Sequence, residues 1–356
     1  GVCIEDFDAG VLSIATGNDS DDVRVRDAGI GTLVITTGSG HDSVSVGEVD
    51  IEFAASATTG AGDDDVEFIE FNVGLGLTIL TENGLDDVTV EAASIGGSLV
   101  IQTGNDADEV SIEGIDVAGA IVVNTAGGND EVHLQSFDAQ SVVIDTGAGN
   151  DGSPTGDSPI TVENAEIDFG LSIFTGDGRD LVLVQDSVAL IVVINSGNHD
   201  DDVDFYNSDT TLDLIINTGS GVDFVDIQGG EGGFVDIGRD LIVDTGAHND
   251  ELEVSDTNVR RNAAISLGAG NDELFVTTVH VRGNAVIDAG AGADFVQIDE
   301  SDVDKLLAVY MGAGNDELTI RNSSAKKALL FGGPGLDDLL LDNVDADESH
   351  VFEFED

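Results

Sequence analysis

Aspartates recur along this chain at a fixed spacing: Asp21, Asp42, Asp64, Asp86, Asp108, Asp130, Asp151, Asp180, Asp201, Asp223, Asp250, Asp272, Asp294, Asp316 and Asp337. Most belong to a pattern Thr-Gly-x-Gly-x-Asp-x-Val-x-Val, complete at Thr37-Gly38-Ser39-Gly40-His41-Asp42-Ser43-Val44-Ser45-Val46. Carboxylates in line have two chemical uses. They ligate hard cations through oxygen, or they accept backbone N–H bonds at turns. A second, outward carboxylate follows in ten of the fifteen repeats, at Asp22, Asp65, Asp87, Glu109, Glu131, Asp202, Glu251, Glu273, Glu317 and Asp338. The chain carries 72 acidic and 11 basic residues, a formal net charge of −61. Stacked carboxylates about 4.8 Å apart repel by about 1 kcal/mol in bulk water and by several near a protein surface. Divalent cations are the natural relief, and turn carbonyls beside carboxylates suit Ca2+.

The elements that position these residues follow from the period. Twelve of the fourteen Asp-to-Asp intervals are 21 or 22 residues. The other two contain Gly152-Ser153-Pro154-Thr155-Gly156-Asp157-Ser158-Pro159 and Gly229-Gly230-Glu231-Gly232-Gly233, which read as inserted loops at 152–159 and 229–233. Within a repeat the side chains alternate with period two, as in Val110 and Ile112 against Glu109 and Ser111, or Leu33 and Ile35 against Val34 and Thr36. Sustained helical spacing is absent. Three short strands and three turns in about 22 residues make one rung of a parallel β-helix. The expected fold is therefore an all-β, right-handed parallel β-helix of about 15 rungs, spanning 1–356 as a single solenoid on the order of 70 Å long. A left-handed hexapeptide helix would need shorter rungs and a different small-residue pattern.

A Thr column tests the geometry. Thr37, Thr59, Thr81, Thr103, Thr125, Thr146, Thr175, Thr218 and Thr245 precede the first Gly, with Ser196 in the same place and Leu267, Ala289 and Met311 later. The apolar replacements place the column inside, with its hydroxyls bonded to backbone or to one another. An outward Thr array would instead suggest ice binding. Both glycines should supply positive φ at a sharp turn. Asp19, Asp106, His199 and His248 replace the second Gly with residues that tolerate a left-handed conformation. Glu82 and Ala126 replace the first, which implies a less demanding position.

The Gly-x-Gly-x-Asp-x-Val element resembles the calcium-binding nonapeptide of repeats-in-toxin proteins, best at Gly332-Gly333-Pro334-Gly335-Leu336-Asp337-Asp338-Leu339. The repeat also resembles those of large acidic, secreted β-helix proteins of bacterial surfaces. The first resemblance implies Ca2+ between stacked turns, at several sites, held by Asp42, Asp64, Asp130, Asp151, Asp180, Asp223, Asp272, Asp294, Asp316 and Asp337 with turn carbonyls. This chain departs in having one such turn per rung rather than two, so a single column of sites is expected. The competing reading is an Asp ladder satisfied by backbone N–H groups and solvent.

Other classes are disfavoured. A charge of −61 opposes nucleic acid and anionic membrane surfaces. No apolar run is long enough to span a membrane. The single Cys3 makes no intrachain disulfide. The chain begins at Gly1 without a visible signal peptide, as a processed or excised segment would. A hydrophobic fraction of 41% placed in register argues against disorder. Lys305, Lys326 and Lys327 are the only lysines, and the arginines look scattered, so no cationic cleft for a lyase is legible. Arg260-Arg261 and Lys326-Lys327 read as exposed charges that relieve repulsion or meet another subunit. The six histidines read as exposed turn residues.

The resulting expectation is a non-enzymatic, extracellular or cell-surface structural protein: a Ca2+-stabilised rod or fibre subunit of a bacterial surface, adhesin or matrix assembly. End-to-end self-association and cell-surface or carbohydrate contacts are expected, and 342–356 reads as a C-terminal cap or a segment that pairs with the next molecule. The alternative is a carbohydrate-active β-helix enzyme, a polysaccharide lyase or glycosidase, which a shallow groove with converging carboxylates would favour.

Overall fold

The computed structural model describes residues 1–152 and 159–354. The chain is an all-β parallel solenoid of about 16 turns set about 22 residues apart, with no helix among the described residues. The turn beyond the expected fifteen comes from strand Val2–Gly17, which pairs ahead of the first marker aspartate. Two compact units divide the chain, Gly1–Val182 and Leu183–Asp356.

In the first unit, alternation sets which side chains go inside, and register then stacks like on like. Val44 pairs with Val66, Val66 with Val88 and Val88 with Val110, and all four are fully buried. Ile35, Ala57, Ile79 and Ile101 form a second inward column on the other side of the turn. Buried β-branched columns of this kind make the core continuous from rung to rung, so each rung is stable only against its neighbours. Phe68 and Phe71 are the largest fully buried side chains here and meet edge to face at 5.4 Å.

The second unit repeats the scheme. Val203, Val225, Leu252, Leu274, Val296 and Leu318 stack in register and are buried. Residues 229–233 lie between strands Phe224–Gln228 and Val235–Ile237, with Gly233 N–H donating to Gly230 O at 2.9 Å. Of the other insertion, 153–158 lie outside the described residues. In the segment expected as a cap, Asp345–Phe352 pairs in parallel with Ser324–Phe331 as one more strand of the stack, and 355–356 are outside the described residues.

One corner was not foreseen. Six residues after most of the marker aspartates the backbone turns left-handed, as at Asp27, Glu48 and Glu70 in the first unit (φ 48°, 55° and 54°), and Asn207, Asp256 and Asn322 in the second (φ 46°, 44° and 48°). Enrichment of Asp and Asn at that position was the available signal, since these side chains tolerate the left-handed region. Strands Ser43–Ile51 and Glu251–Val259 run through this corner, which lies between their two halves.

Candidate functional site

The marker aspartates form a buried column in each unit. In the first, the backbone N–H of Asp21 donates to Asp42 Oδ1 at 2.8 Å, that of Asp42 to Asp64, Asp64 to Asp86, Asp86 to Asp108, Asp108 to Asp130, Asp130 to Asp151 and Asp151 to Asp180, all within 2.8–3.0 Å. In the second, the same bond runs from Asp201 to Asp223, Asp250, Asp272, Asp294, Asp316 and Asp337 in turn, at 2.9–3.1 Å. Each carboxylate thus accepts a turn N–H, and that N–H belongs to the preceding repeat. At the turn between one strand and the next the backbone ladder is interrupted, and the carboxylate supplies the missing acceptor.

All ten aspartates named for Ca2+ sit in these columns and are at most 2% exposed. Asp86, Asp108, Asp201 and Asp250 belong there equally, at 2–3%. The resemblance passed over them because their turns carry Glu82, Asp106, His199 and His248 in place of glycine. A second row was also missed. Asn and Asp side chains one position earlier accept the N–H of the following repeat: Asn150 N–H donates to Asn129 Oδ1 at 2.9 Å, Asn271 to Asn249 at 2.8 Å, and Leu85 to Asp63 at 3.1 Å. The inner row ties each turn to the one before and the outer row to the one after.

The turn glycines are there for this close stacking. A Cβ at Gly149 would lie 1.2 Å from Gly128 O and 3.2 Å from Asp151 Oδ1. The first glycine of the pattern is at positive φ throughout, and its replacements do not relax: Glu82 has φ 73° and Ala126 φ 66°. The position is thus more demanding than its sequence variation implied. Asp106, His199 and His248 take φ 86°, 82° and 90° as expected, whereas Asp19 is not among the positive-φ residues.

The second carboxylate oxygen carries the chemistry. Thr125 Oγ1 donates to Asp130 Oδ2, and Thr146 Oγ1 to Asp151 Oδ2, each at 2.6 Å. In other repeats the hydroxyl serves the next carbonyl instead, as from Thr37 to Thr59 O at 3.3 Å and Thr245 to Leu267 O at 3.0 Å. The Thr column is fully buried, as its apolar replacements implied, and the Thr59 and Thr103 hydroxyls meet no partner at hydrogen-bonding geometry. Buried Oδ2 atoms of Asp42, Asp64, Asp86 and Asp108, and of Asp223, Asp250, Asp272, Asp294, Asp316 and Asp337, meet no donor at hydrogen-bonding geometry. Burial pushes the carboxyls of Asp64, Asp86, Asp108, Asp223, Asp250, Asp272, Asp294 and Asp316 up from 3.8. Asp64, Asp108 and Asp223 reach about 6, with Thr59, Thr103 and Thr218 nearby pulling part of the way back. Asp130, Asp250 and Asp294 reach about 7. Ala289 stands where Asp294 would otherwise find a threonine.

Outside the column, like charges are stacked in register. Asp65 lies opposite Asp87, and Asp87 opposite Glu109. Burial first, then these neighbours and Glu67, raise the Asp65 and Asp87 carboxyls. In the second unit Asp204 is paired with Asp226, and Asp226 with Glu253. Partial burial, with Asp202 and Asp226 beside Asp204, and Glu253 and Asp202 beside Asp226, lifts both to about 6. This row two residues beyond the foreseen one was visible as an acid at every other position.

The fit to Ca2+ is partial. The ion takes about six to eight oxygens. Among the described residues no three His, Cys, Asp or Glu side chains converge closely enough to hold a metal ion. At Asp42, Asp64, Asp86, Asp108, Asp223, Asp250, Asp272, Asp294, Asp316 and Asp337 the column offers an Oδ2 without a donor, to be completed by carbonyls or water.

No family model matches this chain, and no curated protein matches it. A solved structure similar in fold is the X-ray crystal structure of a hyperactive, Ca2+-dependent, β-helical antifreeze protein from an Antarctic bacterium. The identity is 18%, over 96% of this chain and 80% of that one, with a TM-score of 0.41.

Proposed function

We propose that this chain is a structural protein stabilised by Ca2+, acting outside the cell as a rod or fibre subunit of a bacterial surface, adhesin or matrix assembly. The observation that carries this reading is the run of buried aspartate oxygens without donors, set beside outward rows of stacked acids in a chain with 11 basic residues. A cation would supply the positive charge that the side chains lack. Asp64, Asp223, Asp272, Asp294, Asp316 and Asp337 would each offer an Oδ2, and Asp42 likewise, while Asp130 and Asp151 share theirs with threonine. For Asp180 the reading rests on its place in the column. End-to-end self-association belongs to the same reading, since parallel strand edges accept a further strand.

The test is thermal melting in a Ca2+ titration at pH 8, with electron microscopy of the same samples. A Tm that rises with Ca2+ and falls on chelation is expected. An unchanged Tm on chelation sinks the metal reading, and monomers at high concentration in Ca2+ sink the filament.

One observation favours the alternative, a carbohydrate-active enzyme. A surface groove in the first unit is floored by Gly10, Gly31 and Gly74 and lined by Asp8, Asp50 and Glu52. Hydrolysis of a glycan by the protein, lost in Asp50→Asn, would establish it.

A further inference from the structure

The three lysines of this chain, far apart in composition terms from 72 acids, line one pocket. Lys305, Lys326 and Lys327 surround it together with Leu306, Asp347 and Glu348. Stacking brings them there. Leu306 pairs with Lys327, and Lys327 with Glu348. A β-bulge between Val303 and Leu306 sets Asp304 and Lys305 opposite the single Lys326, which turns Lys305 toward its neighbour. Arg282 stands one rung back, next to Val281, which pairs with Val303. The same corner holds Arg239, Arg260 and Arg261, with Arg261 N–H bonded to Arg239 O at 2.9 Å. Seven of the chain's 11 basic residues thus fall at one corner of the second unit. Four of the eight arginines, scattered in the sequence, thus share this corner in the fold.

The members differ in one respect. Arg239 is bound to Asp213, Arg260 lies 3.3 Å from Asp236, and Arg261 lies 3.3 Å from Asp240. Lys327 lies 3.9 Å from Glu348, and Asp304 lies 3.1 Å from His280 Nε2. Among the described residues Arg282, Lys305 and Lys326 have no ion pair, and all three are exposed. In a chain this acidic, leaving three adjacent cations open is the unexpected arrangement.

We propose that this corner binds the acid groups of a linear anionic polysaccharide, with Arg282, Lys305 and Lys326 as the contacting residues. The row offers about one cation per rung of about 4.8 Å. That density suits a chain with one carboxylate per sugar, and is too sparse for duplex DNA with a charge per about 1.7 Å. A second copy of this chain brings the full net charge of −61 against itself, which opposes it as occupant. Leu306 gives the pocket an apolar floor against which a sugar ring can lie. The inference deepens the carbohydrate contact of the surface reading but is independent of Ca2+ stabilisation, which melting tests separately.

The experiment is titration calorimetry of the full chain with polygalacturonate at low salt in EDTA, with neutral dextran as control. Binding to polygalacturonate alone is expected, weakening with added salt. The variant Arg282→Gln/Lys305→Gln/Lys326→Gln should bind at least roughly tenfold more weakly, with unchanged circular dichroism and Tm. Arg24→Gln/Arg26→Gln, in the other unit, should bind as the parent does, and Lys305→Arg/Lys326→Arg should retain binding. Equal binding by the triple variant, binding to dextran, or binding that requires Ca2+ overturns the proposal. So does self-association that the triple variant abolishes without any polysaccharide binding, which gives the corner to a second copy.

Discussion

The backbone N–H of Asp108 donates to Asp130 Oδ1 at 2.9 Å, across 22 residues of sequence, while Asp130 Oδ2 takes a 2.6 Å bond from Thr125. One carboxylate thus fastens the previous turn and its own. Asp130→Ala should leave the Asp108 N–H buried without an acceptor and lower stability by about 1–3 kcal/mol. Asp130→Asn keeps the acceptor and removes the charge, so at pH 8 it should lower stability by less than Asp130→Ala. Denaturant unfolding of both variants distinguishes the two roles, and equal losses would count against the acceptor role.

Acid should stabilise this protein. The folded carboxyls of Asp64, Asp108 and Asp223 lie at about 6, and those of Asp130, Asp250 and Asp294 at about 7, above the 3.8 of an ordinary aspartate. Between these values the folded state holds more protons than the unfolded one. The stabilisation is therefore complete below about pH 4 and is lost as pH rises through 6 to 7. Melting scans should show a higher Tm at pH 5 than at pH 8. A Tm that climbs with pH over this range would refute the assignment of protons to the column.

Protons and Ca2+ should compete for the same need. If Ca2+ relieves the buried carboxylates, its effect on Tm should be large at pH 8 and small at pH 5, where protons already do so. A Ca2+ shift that is equal at both values would place the ion away from the aspartate column.

Removing a hydroxyl should expose the charge. Thr125→Val deletes the bond to Asp130 Oδ2 at nearly constant volume, and should lower stability by about 1–2 kcal/mol at pH 8. Ala289→Thr offers Asp294 the donor that its own repeat lacks, and should lower that carboxyl from about 7. Carboxyl titration by NMR reads the second directly.

Two glycine-position variants test the left-handed turn. Ala126 sits at φ 66°, so Ala126→Gly should stabilise by about 1 kcal/mol. Gly147 has φ 85°, and a Cβ there would lie 1.6 Å from Ala126 O, so Gly147→Ala should be strongly destabilising.

The period, the parallel stack and the inward Val, Ile, Thr and Asp columns were legible because alternation and a fixed interval are properties of sequence alone. What escaped depends on neighbours one rung away. Asp86, Asp108, Asp201 and Asp250 were set aside because Glu82, Asp106, His199 and His248 break the glycine pattern, yet the turn geometry persists. The bonds from Asp to the preceding N–H, and from Asn129 or Asn249 to the following one, join residues 21 to 29 apart and have no local signature. Arg239, Arg261 and Arg282 looked scattered for the same reason, since only the register of rungs makes them neighbours.

The paired rows at the corner make every junction between turns chemically equivalent. Asp86 N–H normally finds Asp108 Oδ1, but Asp130 Oδ1 is the same acceptor one turn on. Excising residues 87–108 would bring those two together, with Val110 taking the place of Val88 between Val66 and Val132. Length is then a free variable of this architecture: turns can be removed or duplicated as whole cassettes by unequal recombination, without any new contact having to be invented at the seam.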